Sequence, residues 1–165
     1  MYAEIVGFGA AHSPMRPGWK AGAPASEEPV ETDEGFQYAI ENALDDAKLG
    51  PGDIDAVVLL GSGMPAMDMG EAGGLRTVFG SRQPPIVTTG PNVGDTMAGA
   101  GGVLAVVAAM CVKEQKLPAR LNAGTPTSGI EAGASAARDA RLERVLVASS
   151  SLGGQNAALV LQALR

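Results

Sequence analysis

The chain has 165 residues, with 12 Lys and Arg against 18 Asp and Glu, for a net charge of −6 at pH 7. At 45% apolar and 4% aromatic, it is too apolar for a disordered chain, and too acidic and too poor in stacking side chains for a nucleic-acid binder. A single cysteine, Cys111, and a single histidine, His12, exclude an intrachain disulfide, a four-cysteine zinc site and multi-histidine catalysis within these residues, so no metal and no cofactor is expected.

Residues 1–165 fit one domain with a real core. The opening Met1-Tyr2-Ala3-Glu4 lacks a basic and apolar leader, so no signal peptide is expected and a cytoplasmic location is the default. The longest apolar stretch, 97–112, holds three glycines and falls short of the roughly 20 residues of a membrane helix, which predicts a core helix and no membrane partner.

Residues 4–8 read as a strand ending at Gly9. Residues 13–34 form a long polar excursion with four prolines, expected as a surface loop carrying Arg16 and Lys20. Phe36, Ala39, Ile40, Ala43, Leu44 and Ala47 recur at helical spacing, with Thr32 as the predicted N-cap and Lys48, Gly50 and Pro51 as the stop. Residues 54–60 read as a buried strand, 70–79 as a short helix and 85–88 as a short strand. Residues 96–116 are apolar on nearly every face, which predicts a helix buried all round, with Asp95 as its N-cap. Gly99, Gly101 and Gly102 weaken such a helix, so a close approach by another backbone is expected. Residues 144–148 and 157–161 read as two strands joined by a glycine-containing turn, an antiparallel hairpin. The order β-α-β-α-β-α-β-β predicts an α/β fold, with a mainly parallel sheet made mixed by its last hairpin and with helices packed on it.

Four segments, in order, resemble the C-terminal half of the β-ketoacyl synthases, in the thiolase-like superfamily. Leu60-Gly61-Ser62-Gly63-Met64-Pro65, followed by Asp68 and Glu71, is similar to the family pattern H-G-T-G-T-P-x-x-D-x-x-E. Asn92-Val93-Gly94-Asp95-Thr96, with Ala98 and Ala100-Gly101, is similar to K-S-N-I-G-H-T-x-x-A-A-G. Leu117-Pro118-Ala119-Arg120-Leu121-Asn122 resembles I-P-P-T-L-N. Ser149-Ser150-Ser151-Leu152-Gly153-Gly154-Gln155-Asn156-Ala157 resembles S-F-G-F-G-G-T-N-A. The resemblance implies a thiolase-like half-domain with a glycine-rich central helix. It also implies a candidate acyl pocket or turn at Gly61, Ser62, Gly63, Met64, Asn92, Asp95, Ser150, Leu152, Gly153, Gly154 and Asn156, with Asp68 and Glu71 ordering the first turn.

The departures bear on chemistry. Condensing members of the family use a cysteine from the N-terminal half and two histidines. Those histidine positions are Leu60 and Asp95 here; the lysine ahead of the second falls on Gly90, and the two phenylalanines of the last turn are Ser150 and Leu152. Donors to a developing oxyanion are worth several kcal/mol of transition-state stabilisation. Leucine has no donor, and an ionised aspartate only accepts. No catalytic residue is assigned, and this chain alone is not expected to condense acyl thioesters. Cys111, inside an apolar helix, reads as a buried inert thiol, and His12 as a surface or loop-anchoring residue. Asp68 and Glu71 share one helix face, a spacing open to acid–base work, but the resemblance implies a structural role. The glycine turns lack a P-loop lysine, and the late arginines Arg120, Arg138, Arg141 and Arg144 read as a solvated surface.

Three functions are expected from this reading. The first is a non-catalytic, chain-length-factor-like partner shaping the acyl pocket of a fatty-acid or polyketide condensing enzyme. The second is acyl transfer or condensation in trans with a cysteine-bearing chain. The third is a homo-oligomeric binding or scaffold module. Expected partners are a second copy or a ketosynthase-type chain, with acyl carrier protein or acyl-CoA. An uncovered apolar helix predicts a dimer.

Overall fold

The computed structural model describes residues 1–13, 32–124, 130 and 132–164. In chain order the elements are β1 (Glu4–His12), α1 (Glu34–Ala47), β2 (Ala56–Leu59), α2 (Pro65–Phe79), β3 (Ile86–Thr88), α3 (Gly90–Val93), α4 (Ala100–Glu114), β4 (Lys116–Leu117), β5 (Arg138–Asp139), β6 (Arg144–Ser150) and β7 (Gln155–Gln162). Five strands form one mixed sheet in the order β1-β7-β6-β2-β3, and β4 and β5 form a separate ribbon. Most of the 13–34 excursion, including Arg16 and Lys20, lies outside the described residues.

The sheet is less parallel than the alternating pattern predicts. β2 pairs parallel with β3 and β6, but β7 runs antiparallel to both β6 and β1. The β6–β7 hairpin forms as expected. Its outer edge is then free for β1, which needs no crossover helix because it arrives antiparallel. β1 is also longer than the apolar run at 4–8, because its pairing runs from Glu4↔Gln162 to His12↔Gln155, with a bulge between Ile5 and Gly7.

α1 lies across β1, and two glycines make that possible. A Cβ on Gly9 would stand 2.1 Å from the carbonyl oxygen of Ala39, and one on Gly7 would stand 2.3 Å from that of Ala43. The helix cap is Asp33 rather than Thr32: its Oδ1 accepts the Phe36 N–H at 3.0 Å. A cap must directly precede the first turn, and that turn starts at Glu34. Lys48 ends the helix in the left-handed region at φ 56°.

The core has two layers. Phe36, Ile40, Leu44 and Leu75 cover one face of the sheet, packing on Val57, Leu146 and Val160. Leu104, Ala108, Cys111 and Val112 of α4 cover the other, packing on Val58, Val145 and Val147. Each fully buried large side chain contributes about 1.5–3 kcal/mol.

α4 corrects the expectation of all-round burial. A 3-10 turn at Met97–Gly99 precedes it, and the helix starts at Ala100. Val106 is 64% and Met110 42% exposed, opposite the buried stripe. The sheet covers one side only, and an apolar pattern cannot say which side has a neighbour. A Cβ on Gly101 or Gly102 would meet nothing within 4 Å, so the expected close backbone is absent among the described residues. By length and composition alone Met97–Glu114 would cross a membrane, with mean hydropathy 1.5; in this fold it lies on the sheet.

Candidate functional site at the strand ends

β2 ends at Leu59, and the chain then turns sharply through Gly61 and Gly63, whose φ values of 62° and 76° lie in the region that side chains resist. Asp68 holds this turn from the first turn of α2. Its Oδ1 accepts from the Ser62 hydroxyl at 3.0 Å and its Oδ2 from the Gly63 N–H at 3.1 Å. The Ser62 hydroxyl in turn accepts the Met64 N–H at 3.1 Å. A carboxylate in the first turn also suits the positive end of the helix dipole. α2 begins at Pro65, five residues ahead of the predicted start at 70, because proline pre-sets the first helical position. Met64, just ahead of it, is 36% exposed.

The segment from Gly90 docks onto the same turn. The Gly90 N–H donates to the Leu60 carbonyl at 2.6 Å. A Cβ at Gly90 would lie 2.5 Å from the Gly61 carbonyl oxygen and 2.7 Å from that of Leu60. In this geometry a side chain at the family's lysine position would force the two segments apart. Leu60 is buried at 6% exposure, whereas Asn92 and Asp95 are exposed. Asp95 does not cap α4; its Oδ1 accepts the Met97 N–H at 2.7 Å, a local turn two residues ahead.

Glu71 is buried, and its Oε1 accepts from the Ser150 hydroxyl at 2.6 Å. Ser150 stands where the family has its first phenylalanine. A buried carboxylate is costly without donors, and this exchange supplies one. The turn from Ser151 to Gln155 is closed by the Ser151 hydroxyl on the Gln155 side-chain oxygen at 2.6 Å and by the Gly154 N–H on the Ser151 carbonyl at 3.0 Å. Leu152 and Gly153 lie half-buried within it, and Gly154 has φ 84°.

Asn156 belongs to a different group. Its Nδ2 donates to the Ser13 hydroxyl at 2.8 Å and to the Gly154 carbonyl at 3.1 Å. The Ser13 hydroxyl donates to Asp33 Oδ1, so three buried polar residues join β1, α1 and β7. Sequence reasoning missed Ser13 and the capping role of Asp33. Only Asp33 carried a signal, as an acidic residue beside a helix start.

A cavity of about 600 Å³ opens at the ends of β2 and β3. Of the sequence-predicted residues, Gly61, Gly63, Asp68 and Glu71 border it, with Thr88, Pro91 and Asn122. Leu60, Ser62, Met64, Asn92, Asp95, Ser150, Leu152, Gly153, Gly154 and Asn156 are not among its walls. The Thr88 hydroxyl is buried without a hydrogen-bond partner. Among the described residues these walls offer carboxylates and a hydroxyl, but no histidine, cysteine or lysine. His12 is exposed at the end of β1, opposite Gln155. Cys111 is 3% exposed on the sheet side of α4, and burial pushes its thiol up to about 11. A nucleophile–base pair is therefore not assembled from Cys111 and His12, and among the described residues no cluster of three His, Cys, Asp or Glu could hold a metal.

A mixed sheet covered by α1 and α2 on one face and α4 on the other, with glycine turns at the strand ends, is an α/β domain whose fold matches thiolase-like ketosynthase structures. The family described as beta-ketoacyl synthase, C-terminal domain, matches residues 2–124, and the chain belongs to that family. It is 31% identical over 126 residues to the tetracenomycin polyketide synthase ketoacyl synthase beta subunit of Streptomyces glaucescens, covering 75% of this chain and 31% of that one. It is 28% identical over 168 residues to the 3-oxoacyl-[acyl-carrier-protein] synthase 2 of Coxiella burnetii, covering 98% of this chain and 38% of that one. Among solved structures, the ishigamide ketosynthase/chain length factor superposes with a TM-score of 0.82 at 24% identity, over 99% of this chain and 38% of that one. The chain thus spans about a third of the length of these relatives.

Proposed function

We propose that this chain supplies the C-terminal half of a non-condensing, chain-length-factor-type subunit that completes or shapes the acyl pocket of an active ketosynthase-type partner. One observation carries the reading. Leu60 and Asp95 stand at the two histidine positions, while the frame around them is kept by the Asp68 bonds to Ser62 and Gly63. A buried leucine and an exposed carboxylate give an incoming thioester oxygen no donor. Leu60 is buried behind the turn, and the apolar cavity surface comes from Leu59, Met69, Ala72 and Ile86, which suits a role in shape. The related beta subunit and the ketosynthase/chain length factor structure support the same reading. The partner would supply the cysteine, and the acyl chain would come from an acyl carrier protein or acyl-CoA.

The test is reconstitution with a cysteine-bearing ketosynthase and a labelled acyl carrier protein. Substitution of Met69, in the cavity wall, by a smaller or larger apolar residue is expected to change the length distribution of products while total turnover stays within about threefold. Loss of all turnover on Asp95→Asn would show that this chain takes part in the chemistry and would favour catalysis in trans. The absence of any effect of the chain on rate or product length would overturn both readings.

A further inference from the structure

We infer that Asn42 and Asp46 of α1 block the outer edge of β1, so that it does not pair with the β1 of a second copy. The inference goes beyond the proposed function and does not depend on it. β1 and β3 are the two edges of the five-stranded sheet. β3 has three residues, too few for a useful ladder, whereas β1 has nine. From Ile5 to Ala11 β1 carries no charge, and Ile5 and Phe8 are 61% and 56% exposed. A long, uncharged and partly apolar edge is a template for another strand.

Backbone parity shows which groups of β1 face outward. Opposite residues of an antiparallel pair exchange both backbone bonds or neither, in alternation. The Ser13 N–H donates to the Gly154 carbonyl, which turns the backbone groups of Gly7, Gly9 and Ala11 towards β7 and those of Phe8 and Ala10 outward. α1 meets both outward residues. Asp46 Oδ2 accepts the Phe8 N–H at 2.9 Å, and Asn42 Nδ2 donates to the Ala10 carbonyl at 3.2 Å. A further strand would lose one of its two bonds at Phe8 and one at Ala10, and would have to bury or displace the Asp46 carboxylate. The match comes from the packing of helix on strand. α1 runs antiparallel to β1, with Ala39 and Ala43 over Gly9, and Ala43 and Ala47 over Gly7. Four helical residues advance about 6 Å and two strand residues about 6.8 Å, so Asn42 and Asp46 fall beside Ala10 and Phe8 in step. The bare backbone at Gly7 and Gly9 brings α1 close enough for two short side chains to reach round the edge; a Cβ on Gly9 would stand 2.9 Å from the Asn42 Cβ. Both residues are exposed, so they cover the edge rather than fill the core.

The test compares the wild-type chain with the double variant Asn42→Ala, Asp46→Ala, under conditions where circular dichroism shows both folded. Light scattering and thioflavin T fluorescence should report β-paired assemblies that grow at least about tenfold faster in the double variant. Asp46→Asn keeps an acceptor for the Phe8 N–H and should stay at the wild-type rate. Glu41→Ala removes a bond of the same helix surface, from Gln37 Nε2 at 2.8 Å, without uncovering the strand, and should stay there too. Adding Ala10→Pro to the double variant removes an outward N–H and should stop the growth, a result that assembly through unfolded chains would not give. Asp46→Ala alone should speed deuterium exchange at the Phe8 amide by at least about tenfold. A double variant that assembles no faster than the wild type would overturn the inference. So would growth that Asp46→Asn or Glu41→Ala reproduces or that Ala10→Pro leaves untouched, or a Phe8 amide unchanged in Asp46→Ala.

Discussion

Where β1 crosses α1, a Cβ on Gly9 would stand 2.1 Å from the Ala39 carbonyl and 2.4 Å from the Ala43 nitrogen. At the start of α4, a Cβ on Gly102 would meet nothing within 4 Å. Both glycines belong to apolar segments. The first is explained inside this chain, by a helix backbone that could come no closer over any other residue. The second is unexplained there, since a glycine weakens a helix and returns no packing. The contrast separates residues that build this domain from residues whose reason lies outside its described surface.

Three substitutions would sharpen or break that contrast, and the largest effect is expected at β1. Gly9→Ala should destabilise the fold by about 3 kcal/mol, because the clash is with backbone that can only move by separating helix from strand. Urea denaturation would read this as a lower midpoint; a change under about 0.5 kcal/mol would mean that α1 is not seated as described.

The next effect concerns the buried side of α4. The Cys111 thiol is held protonated, up to about 11, whereas in the unfolded chain it ionises near its ordinary value of 9.0. The folded state therefore binds more protons than the unfolded state between those two values. Its contribution is full below pH 9 and is lost as pH rises towards 11, by roughly 2–3 kcal/mol in all. Melting temperatures of the wild type should fall faster across that window than those of Cys111→Ala. Parallel curves would show that the thiol is open to water.

The smallest effect has the opposite sign. Gly102→Ala should stabilise the monomer by about 0.5–1 kcal/mol, since the position is helical, exposed and free of neighbours. Denaturation at high dilution would measure it. A loss of stability there would reveal a contact within the chain and remove the contrast with Gly9.

The fold was legible wherever one face of an element decides its fate. The Phe36 to Leu44 stripe and the β6–β7 hairpin carry their pattern in local sequence, and the central strands β2 and β3 stand out as short runs buried throughout. What stayed hidden depends on partners far along the chain. Nothing around Glu4 says that it faces Gln162, and the two-residue strands β4 and β5 are too short to leave a pattern. The apolarity of α4 was visible, but not which side the sheet would take. At the site, the glycine framework and the two missing histidines were readable, because the resemblance fixes them residue by residue. The Ser150 bond to Glu71 was not, since it joins residues 79 apart in sequence. The close approach of Gly90 to Leu60 and Gly61 was hidden for the same reason, since the two segments meet only at the ends of β2 and β3.

The pairing of β1 with β7 also sets a schedule. β1 is synthesised ahead of β7 and waits for it before its ladder can form, although α1 can settle on β1 much sooner. Closing that pair means bringing together residues as distant as Glu4 and Gln162, and contacts of such separation slow a folding search. Ser13 and Asn156 meet only at that closing step. Until it is complete the sheet has β7 missing from between β1 and β6, and a truncation that removes β7 would strand β1 and α1 together, away from the rest of the core.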